Sequence, residues 1–323
     1  MSNVYKKLEE QYLETVLKRE GQQYDKENGA IFSKQRYVFN IDKDGNEVSN
    51  FAIHQVILNI LNEFKRVCDK NNIPWAIGFG GALGLVNYKG FIPWDDDSDV
   101  VINLDDLPRL VEALKKDLGP DYAFDCYETD HRYNVLNPTM KIRYKHSLIK
   151  EKNDVMLPNK CQNGSGIFID VAAFSNVPDN VREHRKVRAR ALWFVPVYVF
   201  LDTFLRIPPF LGKKSIKKYE MKVNKKYRHT GCVSQSAIIA WQAIGKDKTK
   251  IIYPKEMIYP FVEREFEGQM FPFFHDVEGF LKFNYGEKAL KKFIDGEWRE
   301  TYPEDKRHPA HIKRLDPFGG APR

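Results

Sequence analysis

Four aspartates fall within five positions, Asp95, Asp96, Asp97 and Asp99, and lead directly into Val100-Val101-Ile102. β-Branched residues in so short an apolar run predict a buried strand. Strand side chains alternate faces, so an extended register reaching back to Asp95 would put Asp95, Asp97 and Asp99 on one face and Asp96 on the other. Like charges so arranged repel, and none can be buried unpaired. A hard divalent cation offsets both costs. Carboxylate oxygens suit Mg²⁺ or Mn²⁺, and Mg²⁺ characteristically takes one or two carboxylates together with substrate phosphates. Phosphoryl-type transfer with Mg²⁺ (or Mn²⁺) as cofactor is therefore the expected chemistry. The plainer alternative is a solvated acidic turn. The apolar strand behind the run argues against it, as does the glycine corner before it, Gly78, Gly80, Gly81 and Gly84, since glycine lets backbone approach a phosphate closely.

Two further stretches carry charge where a strand is expected. In residues 164–178, GSGIFIDVAAFSNVP, Ile167, Ile169 and Val171 share one face and Phe168, Asp170 and Ala172 the other. A lone Asp170 in such a strand is costly unless it is metal-bound or paired in a salt bridge. In Met140–Tyr144, Lys141 and Arg143 share a face. They read either as cations for a diphosphate or as solvent-facing charge on an edge strand.

These residues need elements to position them. Residues 50–70 form the clearest amphipathic helix, with Ile53, Val56, Ile57, Ile60, Leu61, Phe64, Val67 and Cys68 at three- and four-residue spacing. Asn71-Asn72 ends it and Pro74 forbids continuation. A short strand, Ile73 to Ile77, precedes the glycine corner, and a short helix between Ala82 and Tyr88 would present its N-terminal N–H groups to a phosphate. A helix from Asp105 to about Leu118 turns Leu107, Leu110, Val111 and Leu114 inward. Residues 121–150 alternate as strands. Residues 4–20 predict a helix with Val4, Leu8, Tyr12, Leu13, Val16 and Leu17 on one face; residues 21–49 are polar, an arm or small hairpin. Further on, 235–245 predict a short helix and 251–274 strands or a hairpin. Asp276 starts an amphipathic helix that Gly286 ends.

Residues 181–230 differ in character. A cationic start (Arg182, Arg185, Lys186, Arg188, Arg190) leads into ALWFVPVYVFLDTFLRIPPFLG, and then into KKSIKKYEMKVNKKYRH. Cationic flanks around an aromatic-apolar segment suit peripheral membrane contact; a helical subdomain with a solvated basic face is the bland alternative. No recognition motif for nucleic acid is present. The net charge of +7 suits an anionic partner without choosing among them. The cysteines, Cys68, Cys126, Cys161 and Cys232, form no C-x-x-C pair, so neither a zinc ribbon nor a disulfide framework is expected and reduced cytoplasmic thiols are. The first twenty residues are charged and lack the apolar core of an export signal, and no apolar run is long enough to span a bilayer.

The stretch Trp75–Leu104 resembles the LicD family of phosphotransferases, related to fukutin and within the nucleotidyltransferase superfamily. The residues that carry the likeness are Gly80, Leu83, Gly84, Lys89, Gly90, Phe91, Ile92, Pro93, Trp94, Asp95, Asp96, Asp97 and Asp99. The segments G-I-F-I-D ending at Asp170, K-I-R at 141–143 and F-E-G-x-x-F-P starting at Phe266 are similar to later family patterns. Gly81, Asn87 and Ser98 depart from it. The resemblance covers roughly 50–175 and 262–311. It implies an α+β fold, a nucleotidyltransferase-like mixed β-sheet flanked by helices with an added helical insertion. The chain then divides into an N-terminal helix and arm (1–49), a catalytic core (50–180), a basic and aromatic helical insertion (181–250) and a C-terminal part completing the catalytic domain (251–323). The activity implied is metal-dependent transfer of a phospho-alcohol, phosphocholine in type, from a CDP-alcohol donor such as CDP-choline. The acceptor is a hydroxyl of a cell-surface glycan or glycolipid, such as lipopolysaccharide or teichoic acid. Nucleotidyl transfer from an NTP, or a non-catalytic membrane- or glycan-binding module, are the alternatives. In the implied site Asp97, Asp99 and Asp170 are catalytic and hold metal with Asp95. Gly80, Gly81, Lys89, Lys141 and Arg143 face the donor phosphates. His311 and Arg307 reach toward the site from the tail. The location implied is cytoplasmic, peripheral at the inner face of the membrane, with no nucleic acid partner.

Overall fold

The structure is a computed structural model that describes residues 4–23, 38–41, 47–133, 139–151, 161, 165–190, 210–235, 252–294, 297–299 and 310–316. The chain begins with α1 (Val4–Gln23), followed by a hairpin of β1 (Val38–Ile41) and β2 (Glu47–Ser49), and then α2 (Asn50–Lys70). All eight apolar positions expected on the inner face of α2 are fully buried. Each contributes about 1.5–3 kcal/mol by leaving water. Its end is where the sequence puts it: the Asn71 N–H bonds back to the Val67 and Cys68 carbonyls. The buried stripe of α1 is rotated from expectation. Tyr5, Tyr12 and Val16 are buried and Val4 is exposed, and Tyr12 meets α2 against Phe51 and His54.

Next come β3 (Trp75–Ile77), α3 (Phe79–Tyr88), β4 (Asp99–Asn103), a 3₁₀ turn at Leu104–Asp106 and α4 (Leu107–Asp117). After them lie β5 (Tyr122–Cys126), β6 (Met140–Tyr144), β7 (Leu148–Glu151) and β8 (Phe168–Val177). Residues 181–190 are helical (α5). Then follow α6 (Phe210–Lys226), β9 (Cys232–Gln235), β10 (Tyr253–Pro254), α7 (Lys255–Ile258), β11 (Val262–Phe266), β12 (Gln269–Phe273) and α8 (Val277–Tyr285). The short strands β13 (Lys292–Ile294), β14 (Glu297–Arg299) and β15 (Ile312–Asp316) complete the described chain. The helix expected over 235–245 lies outside the described residues, apart from Gln235, which ends β9.

One mixed sheet organises these elements, in the order β10-β9-β8-β4-β3-β12-β11. The long strand β8 is its spine. Along one edge it pairs in parallel with β4; along the other it pairs antiparallel first with β6 and then with β9, and β5 pairs with β6. The fold is α+β, as expected. The C-terminal hairpin β11–β12 joins the same sheet beside β3, and β15 pairs with β7. Aromatic packing closes this end, with Phe79, Phe174, Tyr253, Phe274 and Phe280 in mutual contact. Among the described residues, no helix is long and apolar enough to cross a membrane.

Candidate active site

Strand register puts the acidic groups together. Asp99, the first residue of β4, is paired directly with Asp170 of β8, and Asp170 with Lys141 of β6. Directly paired residues project to the same face, so Lys141, Asp170 and Asp99 form a row across three strands. Asp97 joins from the loop before β4, and one carboxylate oxygen from each of Asp97, Asp99 and Asp170 lies within 4.8 Å of the others. The extended register does not reach back to Asp95. Residues 95–98 are loop, and Asp95 falls instead in a second group with Asp96 and His311. The expected metal set of Asp95, Asp97, Asp99 and Asp170 is thus divided between neighbouring clusters.

The loop that carries these carboxylates is fixed from several directions. Asn50 donates to the Pro93 and Asp95 carbonyls (2.8 and 2.6 Å), and His54 Nε2 lies 2.7 Å from the same Asp95 carbonyl. Glu267, fully buried, accepts from the Phe91 N–H (2.7 Å) and from the Tyr12 hydroxyl (2.9 Å), while its own N–H donates to the Lys89 carbonyl. Asp96, beside Asp95 in the second group, accepts the backbone N–H groups of Ala310, His311 and Ile312. That contact brings His311 to the site, where its Nδ1 is 3.2 Å from both Asp96 Oδ1 and Asp97 Oδ2. Arg307 lies outside the described residues.

The glycines serve packing. Segment 90–95 doubles back along α3. The space a Cβ would take at Gly84 is occupied by the Gly90 carbonyl, and at Gly80 the Asp95 carboxylate would lie 2.9 Å from it. At Gly81 the same space is filled by Ile77. Gly80 and Gly81 sit inside α3, which starts three residues earlier than expected. Phe79 enters it with φ 45°, a strained conformation for a bulky residue. Lys89 closes the far end of α3, about 13 Å along the axis from Gly80 by helical rise, so these two do not converge on one phosphate.

Lys141 and Arg143 do not behave as either sequence reading expected. Both are buried. Lys141 Nζ lies 2.9 Å from Asp170 and 3.1 Å from Glu151. Arg143 donates to Asp125 and Glu151 (3.1 Å each) and to the Gly166 carbonyl (3.0 Å). The two cations form an ion-pair network beneath the site, and β6 lies between β5 and β8, so it is no edge strand. Burial alone would push the Glu151 carboxyl up and the Arg143 guanidinium down. Their mutual attraction, with Lys141 and Asp125, outweighs burial and moves both the other way.

The carboxylates show where charge is uncompensated. Burial, reinforced by Asp97, pushes Asp95 and Asp99 well above the usual range. Burial also pushes Asp97 up to about 6, despite the opposing pull of His311. His311 is driven up to about 10: Asp97 and Asp96 overcome the effect of burial and keep it protonated. Asp96 is held low, since hydrogen bonds from His311 and the Ile312 N–H outweigh its burial. Crowded hard oxygen donors whose negative charge is penalised are the donor set a divalent cation fits.

The family model described as LicD/FKTN/FKRP, nucleotidyltransferase domain, matches residues 72–186, the span from β3 to α5 that holds Asp97, Asp99 and Asp170. The chain carries a LicD-type domain over residues 72–186. It is 24% identical over 276 residues to the lipopolysaccharide cholinephosphotransferase LicD of Haemophilus influenzae, an alignment covering 80% of this chain and 94% of that protein. It is also 30% identical over 106 residues to the uncharacterized protein RP689 of Rickettsia prowazekii, covering 32% of this chain and 37% of that one. The chain is thus a transferase of phosphorus-containing groups. Beyond the aspartates, this LicD-family site depends on residues that sequence reasoning passed over: Asn50 and His54 on a helix read only for its apolar face, and Asp125 and Glu151 on short strands. For Glu151 the usable signal was Lys141 and Arg143 themselves, since two cations buried in a strand demand carboxylates nearby.

Proposed function

We propose that the chain transfers a phosphocholine-type phospho-alcohol from a CDP-activated donor to a hydroxyl of a cell-surface glycan, with Mg²⁺ or Mn²⁺ held by Asp97, Asp99 and Asp170. The observation that carries this reading is the row Asp99–Asp170 on paired strands with Asp97 alongside, their oxygens close enough to share one ion. The lipopolysaccharide cholinephosphotransferase relative supports phosphocholine as the transferred group and a lipopolysaccharide-type glycan as acceptor. The bound ion would supply charge neutralisation for the donor diphosphate and for the oxygens of the displacement. The chain's residues supply the rest. Lys141 fixes one oxygen of Asp170, leaving that carboxylate oriented to accept the proton of the acceptor hydroxyl. His311 holds Asp97 in place. Asn50, His54 and Glu267 set the loop in advance, so little reorganisation remains when substrate arrives. Lys141 and Arg143 act by positioning Asp170.

The test is turnover of CDP-choline with a glycan acceptor, read as CMP release. CMP release is expected with Mg²⁺ or Mn²⁺ and not with excess chelator. Asp97→Asn and Asp99→Asn should each lower kcat by about 10²–10³-fold, the scale for loss of one preorganised electrostatic contact, while circular dichroism stays native. Pyrophosphate release from a nucleoside triphosphate, or activity insensitive to chelator, would overturn the assignment.

A further inference from the structure

The basic stretch after β8 is not absorbed by the reaction. Its helices α5 and α6 lie antiparallel: Tyr219 donates to the Val187 carbonyl (3.1 Å), and both Lys226 and Tyr227 reach Glu183 (3.2 and 2.6 Å). Asn224 anchors α6 to the fold. Its amide oxygen accepts from the Asn176 N–H and side chain in β8, and its nitrogen donates to Asp105. Asn176 lies six residues along β8 from Asp170, so this anchor sits about 20 Å from the acidic row.

The cations of α6 are sorted by face. Lys217 turns inward, between Glu128 (3.2 Å) and Glu220 (3.7 Å). Lys214, Lys218, Lys222 and Lys225 are exposed; 214, 218 and 222 recur every four residues and so make one stripe. Among the described residues, none of these four is paired with a carboxylate. Met221 lies 41% exposed beside that stripe. Arg182, Arg185, Lys186 and Arg190 of α5 are exposed as well. Between α6 and α4 lies a cavity of about 560 Å³ that Leu107, Val111 and Met221 line together with Lys214 and Lys218 and with the ion pairs Lys115–Glu112 and Lys217–Glu128. Apolar walls with Lys214 and Lys218 left over at the rim, beyond those two pairs, suit an amphiphile whose head is anionic.

We infer that the outward face of the α5–α6 pair, with its groove against α4, is a docking surface for an anionic lipid bilayer. Charge complementarity chooses the occupant. The stripe is cationic, the groove accepts hydrocarbon, and the exposed methionine adds an apolar contact at the same level as the lysines. The inference rests in part on the proposed function, since a lipid-borne glycan acceptor would be presented at such a surface. The separation of about 20 Å along β8 leaves room for the sugars between lipid and acidic row.

The experiment is co-sedimentation of the full chain with vesicles of phosphatidylcholine alone or mixed with phosphatidylglycerol, at low and high salt. Binding only to the mixed vesicles is expected, with loss at high salt because exposed charges are screened. A cation beside an anionic surface multiplies partition about fivefold, so the combined Lys214→Gln, Lys218→Gln, Lys222→Gln variant should bind about 100-fold more weakly. It should keep its fold and its turnover of a short water-soluble acceptor. Equal binding to both vesicle types, wild-type binding by the triple variant, or retention on single-stranded RNA with none on vesicles would each overturn the inference. Failure of the proposed reaction shows separately, as no turnover of the soluble acceptor by a chain that still sediments with vesicles.

Discussion

Replacing Arg143 by Met separates the two roles this residue could have. Its guanidinium is buried and makes ion pairs with Asp125 and Glu151 and a hydrogen bond to the Gly166 carbonyl. Methionine keeps much of the apolar volume and removes the charge. Two carboxylates then lose a buried counter-charge. Breaking a buried pair by removing one partner costs roughly 3–5 kcal/mol, chiefly through the charge left behind. Glu151 retains Lys141 and is 15% exposed, so the loss should fall near the lower end, about 3 kcal/mol. A typical chain has only about 5–15 kcal/mol to lose, so urea unfolding should show a clearly lower midpoint with the slope unchanged. Arg143→Lys keeps the charge but cannot span three partners, and should fall between Met and wild type. The reasoning fails if Arg143→Met unfolds at the wild-type midpoint while KM for the CDP-linked donor rises tenfold or more. That pattern would return Arg143 to direct phosphate contact.

Asp96→Asn should loosen the C-terminal segment, because Asp96 accepts three successive N–H groups at 310–312; faster amide hydrogen exchange across β15, with β8 unchanged, is the readout. Gly84→Ala forces a methyl onto the Gly90 carbonyl and should cost about 1–3 kcal/mol by overpacking, measured by urea unfolding. The pH dependence follows from Asp97 and His311. Asp97, raised to about 6, opposes folding once deprotonated, so its effect worsens between about pH 4 and pH 6. His311, raised to about 10, contributes stability that is complete below about pH 6.5 and is lost as pH rises toward its folded value. Both signs agree: without divalent cation the melting temperature should fall between pH 5.5 and 8, and millimolar Mg²⁺ should flatten that slope. A cation-free chain that melts higher at pH 8 would contradict the charge assignments.

Local pattern revealed the elements and the identity of the acidic row, and it failed where partners are distant in sequence. The inner face of α2 was legible because burial of Ile53, Val56, Ile57 and their neighbours recurs at helical spacing. Asp170 was legible because a charge inside GIFIDVAAF violates that pattern. The pairing of Asp99 with Asp170 needed the parallel register of β4 and β8, which no period encodes. Lys141 and Arg143 read from the sequence as cations for a diphosphate or as solvent-facing charge, because no local pattern shows Glu151 and Asp125 beside them. The glycines read as a phosphate corner for a similar reason: the returning segment 90–95 that fills the groove at Gly80 and Gly84 is placed by Glu267, far along the chain. The rotation of α1 toward Tyr12 has the same origin, since Tyr12 answers to Glu267.

The cations next to the site leave it with negative charge that the proposed divalent ion would offset. Lys141 is shared between Asp170 and Glu151, and Arg143 between Asp125 and Glu151. Two cations therefore face three carboxylates, and the network cannot neutralise anything outside itself. On the loop side His311 meets Asp96 and Asp97, and Asp95 and Asp99 have no ion pair among the described residues. Those are the two carboxylates pushed furthest from their usual range. A monovalent ion would leave most of this excess in place, whereas a divalent one matches it at a single point. Glu151, which shares Lys141 with Asp170, thus helps preserve the excess negative charge that the proposed divalent ion would meet.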